Sequence, residues 1–281
     1  MTTLDESYAY CRQLIRTRGR VFYAATYLLP RVKRHHVHAL YAFFRHADDL
    51  VERLGPVSVE DRERALHEYG EELFEDLDRG DSSDPVLKAV VHTVAAFDLN
   101  PDCFLRYLQS VTMDLHVSEY ETFDDLLDFM DGSAAVVGEM LLPIMEPTSA
   151  EAIARARDLG VAFQLTAFLR DVGVDLDRAR VYLPQEDLVR FGADPWLRQV
   201  TPEWRALMAF EVGRAWEYYE SADRGMAMLP ASSARAVRAA RNMQAEILEA
   251  VERADGDVFA ARARVPKARQ VFVAGRSLFS R

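Results

Sequence analysis

The chain reads as all-α, a single helical bundle, on three observations. Alternation of β-branched with polar residues is almost absent, so no stretch carries the period of two that a half-buried strand needs. The 11 prolines fall largely at segment edges, where helices start or stop. The stretch from Val161 to Asp175 is apolar without a gap until Arg170, while Gln164, Asp171 and Asp175 recur at spacings of seven and four, on one helical face.

In chain order, Pro30 precedes a helix running to about Arg53 and closed by Gly55-Pro56. Ser58 opens a charged, exposed helix from Glu60 to Asp78, and Gly80 to Pro85 is a turn. Pro101 and Asp102 start a helix to about Val117. Phe123 to about Leu142 forms another, with Pro143 ending or kinking it. Ser149 to about Asp177 is the helix around which the rest is organised. Pro184 to Trp196 reads as irregular. Pro202 to Met228 and Ser232 to Ala254 are long helices, and Pro266 begins a short terminal one. There is no Gly/Ser-rich linker, repeat or low-complexity segment, so residues 1–281 are read as one domain.

Composition excludes several function classes. A net charge of −11 argues against a nucleic-acid partner, which calls for a basic face, but leaves room for a local basic pocket. Cys11 and Cys103 have apolar or aromatic neighbours and no CxxC spacing, so they read as buried free thiols in a reducing cytoplasm. The N-terminus has no basic segment followed by an apolar core, and no run approaches the roughly 18 apolar residues of a membrane span. The expectation is a soluble cytoplasmic protein with peripheral membrane contact at most. Val271-Phe272-Val273 with Lys267, Arg269 and Arg276 offers such a contact, although a packed terminal helix is the preferred reading.

Asp171 and Asp175 lie about 6 Å apart along their helix axis. A second pair, Asp48 and Glu52, shares a face by its i,i+4 spacing, with Asp49 pointing away. One acidic helical face is usually just solvated. Two such pairs, each embedded in apolar sequence, are costly unless matched by positive charge. Facing one another across a bundle, they would cage two or three Mg²⁺ ions, with Mn²⁺ as a substitute, and hard cations are what a diphosphate needs to become a leaving group. Asp124, Asp125 and Asp128 also contain an i,i+4 pair. They occupy a first helical turn, where acids favour the helix dipole, and are read as structural.

With both motifs in view, the chain resembles the squalene/phytoene synthases. Ser7-Tyr8-x-Tyr10-Cys11 and Phe22-Tyr23-x-Ala25-x-Tyr27-Leu28-Leu29-Pro30 match that family's opening. Tyr41 to Glu52 matches its first aspartate-rich motif, and Gln164 to Pro184 its second. Gly132 to Glu139 has the form seen in bacterial phytoene synthases, and Arg262 to Lys267 resembles the basic C-terminal element. The resemblance implies an isoprenoid-synthase bundle with a central apolar cavity. Asp48, Glu52, Asp171 and Asp175 would be metal ligands, and Arg45 and Arg262 would hold diphosphate oxygens, a task suited to guanidinium geometry. Phe22, Phe129, Val137, Gly138, Gln164 and Leu165 would line the cavity, with Tyr41 and Lys267 in the same substrate-binding set. The implied reaction ionises one prenyl diphosphate to an allylic cation, which the second substrate attacks. Proton loss then gives a cyclopropylcarbinyl diphosphate, which ionises again and rearranges to a linear hydrocarbon.

Some positions depart from the family pattern. Ala167 stands where Asn is usual, Val174 replaces a Glu, and Val21 a Ser or Thr. Phe129 and Gln244 stand in for tyrosines, and Glu119 for a basic residue. The favoured reading is head-to-head joining of two C20 diphosphates to phytoene, without NADPH, by a monomer or homodimer. The alternatives are C15 condensation, cyclisation or transfer to another acceptor, and a non-catalytic relative; the last is disfavoured because all four carboxylates and Arg45 are kept.

Overall fold

The computed structural model describes residues 2–52 and 57–259. They form α1 (Leu4–Arg18), α2 (Arg20–Thr26), α3 (Arg31–Val51), α4 (Val59–Arg79), α5 (Pro85–Phe97), α6 (Pro101–Met113) and α7 (Phe123–Met130). A π turn, Asp131–Ala135, leads into α8 (Val136–Met145). Then come α9 (Ala152–Leu176), α10 (Gln185–Phe191), α11 (Pro202–Asp223) and α12 (Ala231–Arg253). No strand occurs among the described residues beyond an isolated bridge between Glu119 and Val181.

Local sequence explains most of the boundaries. Thr3 and Thr122 cap α1 and α7 through reciprocal capping boxes with Glu6 and Asp125. Asp125 is therefore occupied at a helix start, where Thr122 donates to it through both its backbone N–H (2.9 Å) and its hydroxyl (2.7 Å). Proline at the first turn follows a capping Asp84, Asn100 or Thr201 in α5, α6 and α11.

Three expectations need correction. The 184–196 segment is not irregular throughout: α10 forms there because Glu186 and Asp187 suit a first turn, Leu188 is buried, and Gly192 ends the helix at φ 65°. The helix from Phe123 is interrupted by the π turn and continues through Pro143 to Met145. The helix from Pro101 stops at Met113.

Two large apolar clusters make up most of the core among the described residues, and a small third one joins α2 to α12 at Ala25, Ala239 and Met243. One large cluster gathers α1, α3, α4, α5, α6 and α8 around Leu40, Phe43, Phe104 and Tyr107; the other joins α7, α9, α11 and α12 around Phe168, Trp204 and Tyr219. Cys11 and Cys103 are buried free thiols. A ring of ion pairs ties the π turn to its neighbours. Arg106 holds Asp131 (2.6 Å) and Glu139 (3.1 Å), while Arg157 holds Glu139 (2.7 Å) and Asp131.

Two histidines of α3 are buried and neutral. His36 Nδ1 lies 2.9 Å from the Thr93 hydroxyl and His38 Nε2 3.0 Å from that of Thr26. Burial pushes both down to about 4 from 6.5. The unfolded chain therefore binds protons that the native state refuses, and each histidine costs stability as pH falls through 6.5 towards 4, about 2 kcal/mol by pH 5. The carboxyls of Asp48 and Glu211, raised by burial to about 6 and about 7, act in the opposite sense. Comparing variant with parent isolates the histidine contribution. Urea unfolding of His36→Gln is expected to show a fall between pH 7.5 and 5 that is smaller than the parent's by about 2 kcal/mol. An unchanged difference would contradict the assignment.

Candidate active site

A cavity of about 250 Å³ lies among α2, α3, α8, α9 and α12. Its walls are almost entirely apolar, and Phe22, Tyr41, Phe44, Leu141 and Phe163 contribute to them. Val137 and Gly138, directly after the π turn, form part of the same wall.

The two acidic helices share one polarity relative to this cavity. On α3 the lining residues are Val37, Tyr41 and Phe44, one face at helical spacing, and Asp48 and Glu52 follow at the C-terminal end. On α9 the lining residues run from Ala152 to Phe163, and Asp171 and Asp175 again follow towards the C-terminus. Asp48 stands about 16 Å along the axis from Val37. Carboxylates thus stand at one end of each helix, and apolar walls extend away from them.

Asp48 is held from a neighbouring helix. The buried Tyr107 donates to its Oδ1 at 2.8 Å and to the Phe44 carbonyl at 3.2 Å. Burial raises the Asp48 carboxyl to about 6 despite this hydrogen bond, which acts to lower it. Burial likewise holds the Tyr107 phenol well above its ordinary value. Sequence reasoning missed Tyr107, because it sits on α6 in no motif and meets Asp48 only through tertiary packing. Tyr107→Phe is expected to cost about 1–2 kcal/mol in urea unfolding, since it leaves a buried carboxylate short of a donor. A loss below a few tenths of a kcal/mol would show that Asp48 does not depend on it.

Arg45 pairs with Asp49 and reaches Glu52 at 3.3 Å, while its buried Nε has no hydrogen-bond partner. Asp49, which the helical spacing turned away from Asp48 and Glu52, is thus held by the neighbouring guanidinium. Arg170 grips Asp171 through Nε at 2.9 Å and through a second nitrogen. Arg178, just after α9, approaches Glu52 at 4.0 Å and so links the ends of the two acidic helices. Among the described residues no three His, Cys, Asp or Glu side chains converge closely enough to hold an ion by themselves.

The segment after α9 is fastened to the loop after α6. Val181 N–H donates to the Ser118 carbonyl (2.8 Å), and Arg180 and the Tyr182 hydroxyl (2.6 Å) both bind Asp114. Tyr182 stacks on Phe168 with ring centroids 4.2 Å apart. Phe129 stacks within this group, against Tyr120, Phe168 and Tyr182.

Of the expected lining residues, Phe22, Tyr41, Val137 and Gly138 are in the cavity wall. Phe129 and Leu165 instead belong to the second core cluster, because the faces they occupy turn towards α11 and the Tyr182 segment. Gln164 is half-buried on α9, beside the lining residue Phe163. Arg262 and Lys267, with the Val271–Val273 stretch and the helix expected from Pro266, lie outside the described residues. Ala167, half-buried one turn before Asp171, presents only a methyl group. No described helix is long and apolar enough to cross a membrane.

The squalene/phytoene synthase family model matches residues 15–269. A 15-cis-phytoene synthase of Synechococcus elongatus is 35% identical, with 96% of this chain and 92% of that protein covered. A phytoene synthase of Arthrospira platensis is 36% identical over 94% and 90% of the two chains. Among solved structures, a dehydrosqualene synthase in complex with a ligand superposes with a TM-score of 0.90 at 28% identity, covering 98% and 96%. A squalene synthase from Alicyclobacillus acidocaldarius does so with a TM-score of 0.82 at 30% identity, covering 90% and 95%. The chain belongs to the squalene/phytoene synthase family, a family of prenyl-transferring enzymes.

Proposed function

We propose that the protein condenses two geranylgeranyl diphosphates head to head to phytoene, through a cyclopropylcarbinyl diphosphate. The observation that carries the reading is the shared polarity of α3 and α9. Carboxylates and arginines at one end suit two diphosphate heads, and an apolar cavity running away from them suits two hydrocarbon tails. The phytoene synthases of Synechococcus and Arthrospira, similar over nearly the whole chain, support the C20 substrate.

The donor set fits Mg²⁺. Asp48, Glu52, Asp171 and Asp175 offer hard oxygens, and Asp48 is kept where burial penalises its charge, a cost that a cation would offset. No three of these side chains form a closed cage, so an ion held by them would need further oxygen donors, which a diphosphate would offer. What the bound metal supplies is neutralisation of the departing diphosphate.

This chain's own residues do the remainder. Arg45 offers its unpartnered Nε to a diphosphate oxygen. The apolar wall keeps water from the allylic cation left when the first diphosphate departs. The aromatic faces of Phe22, Tyr41, Phe44 and Phe163 border the space in which positive charge is handed from carbon to carbon. The double bond of the second substrate attacks the cation, and loss of a proton closes the three-membered ring. The second diphosphate then leaves, the skeleton rearranges, and a final proton loss gives the hydrocarbon. Two diphosphates and two protons leave in all, so no reductant is needed.

A C15 reading also has an observation in its favour, the close superposition on dehydrosqualene and squalene synthases. Incubation with equal farnesyl and geranylgeranyl diphosphate and Mg²⁺, with organic extracts read by mass spectrometry, separates the two. A C40 product in excess supports the C20 reading, and a C30 product in excess overturns it.

A further inference from the structure

Lys33 is only 4% exposed, one α3 turn before the cavity-lining Val37. Its Nζ pairs with Glu146 at 2.9 Å and donates to the fully buried Ser233 hydroxyl at 3.3 Å. Three helices meet at this point, and each supplies cavity wall immediately beside its contribution. Val37 follows Lys33 on α3, Met145 precedes Glu146 at the end of α8, and Ala236 and Val237 follow Ser233 on α12. Glu146 is 62% exposed, so this ion pair stands between the apolar wall and solvent. It also stands at the end of α3 opposite the carboxylates, about 22 Å from Asp48 along the axis.

We propose that the Lys33–Glu146–Ser233 bridge is the stop of the hydrocarbon cavity and sets the longest prenyl chain that the enzyme accepts. This deepens the reading given above and rests on it. An apolar floor can yield to a longer chain by repacking. A buried ammonium held at two points cannot, because displacing it strands a charge or a hydroxyl without a partner. A chain longer than the cavity therefore meets a steep penalty here, while one that ends above Val37 does not sense it.

The test compares kcat/KM for C20 and C25 prenyl diphosphates in the parent and two variants. Lys33→Ala removes the bridge and deepens the cavity. Glu146→Asn acts from an exposed position, so it keeps the test available should the lysine variant fail to fold. Asparagine tolerates the left-handed backbone there (φ 57°) and is too short to hold Lys33. The C25-to-C20 ratio is expected to rise about tenfold or more in Lys33→Ala, and in the same direction by less in Glu146→Asn. Folded variants with the parent's ratio would overturn the proposal while leaving the condensation reading intact. A parent that turns over neither substrate would overturn that reading, and the stop with it.

Discussion

Asp171→Asn is expected to lower kcat/KM for a prenyl diphosphate by about 10³-fold, with Asp48→Asn similar. The amide keeps the shape of each side chain and removes the negative charge that a cation requires. The loss belongs in turnover more than in folding. At Asp171 the amide retains one oxygen for Arg170, and at Asp48 one for the Tyr107 hydroxyl. Unfolding free energies within about 2 kcal/mol of the parent would therefore accompany the kinetic loss. A variant with parental turnover would remove that carboxylate from the chemistry. Asp125→Asn is the matched control, because that acid caps α7; it is expected to cost about 1 kcal/mol of stability and no activity.

Gly138→Val is expected to be the most damaging change to the scaffold, at about 3 kcal/mol or more. A Cβ at Gly138 would meet the Ala156 carbonyl oxygen, and one at Gly160 would meet the Ala134 carbonyl oxygen. At the first point the backbone of α8 touches α9, and at the second the π turn touches α9, both too closely for any side chain to intervene. Because both α8 at Val137 and α9 at Phe163 line the cavity, forcing the helices apart would also spoil its wall. Thermal unfolding should show a midpoint lower by roughly 6 °C or more, with activity lost in parallel. Parental stability would mean that the two helices have slack between them.

These two sites show what the sequence discloses and what it hides. Asp48, Glu52, Asp171 and Asp175 were legible because each pair obeys the helical repeat, and repeat and residue type survive in one dimension. Helix starts at Pro101 and Pro202 were legible for the same reason, since their caps are local. The π turn left no comparable trace. It is held by Arg106 and Arg157 from two other helices, and nothing near Asp131 in sequence announces them. Gly138 stood out through resemblance as a lining residue, but its closeness to Ala156 appears only when α8 and α9 are laid together. Phe129 was expected in the cavity wall and instead stacks with Phe168 of α9 and Tyr182 of the segment after it, partners that nothing near Phe129 in sequence announces. Tyr107 and Lys33 share this character: their meaning is a partner on another helix.

The central claim is that the carboxylate ends of α3 and α9 hold a metal-bound diphosphate at the head of the apolar cavity. Thermal unfolding with Mg²⁺, an unreactive C20 thiodiphosphate, both or neither tests it most directly. The account predicts a rise of roughly 5 °C or more with both together, little with either alone, and none in the Asp48→Asn/Asp171→Asn double variant. Stabilisation by the analogue without metal, or stabilisation that survives in the double variant, would contradict it.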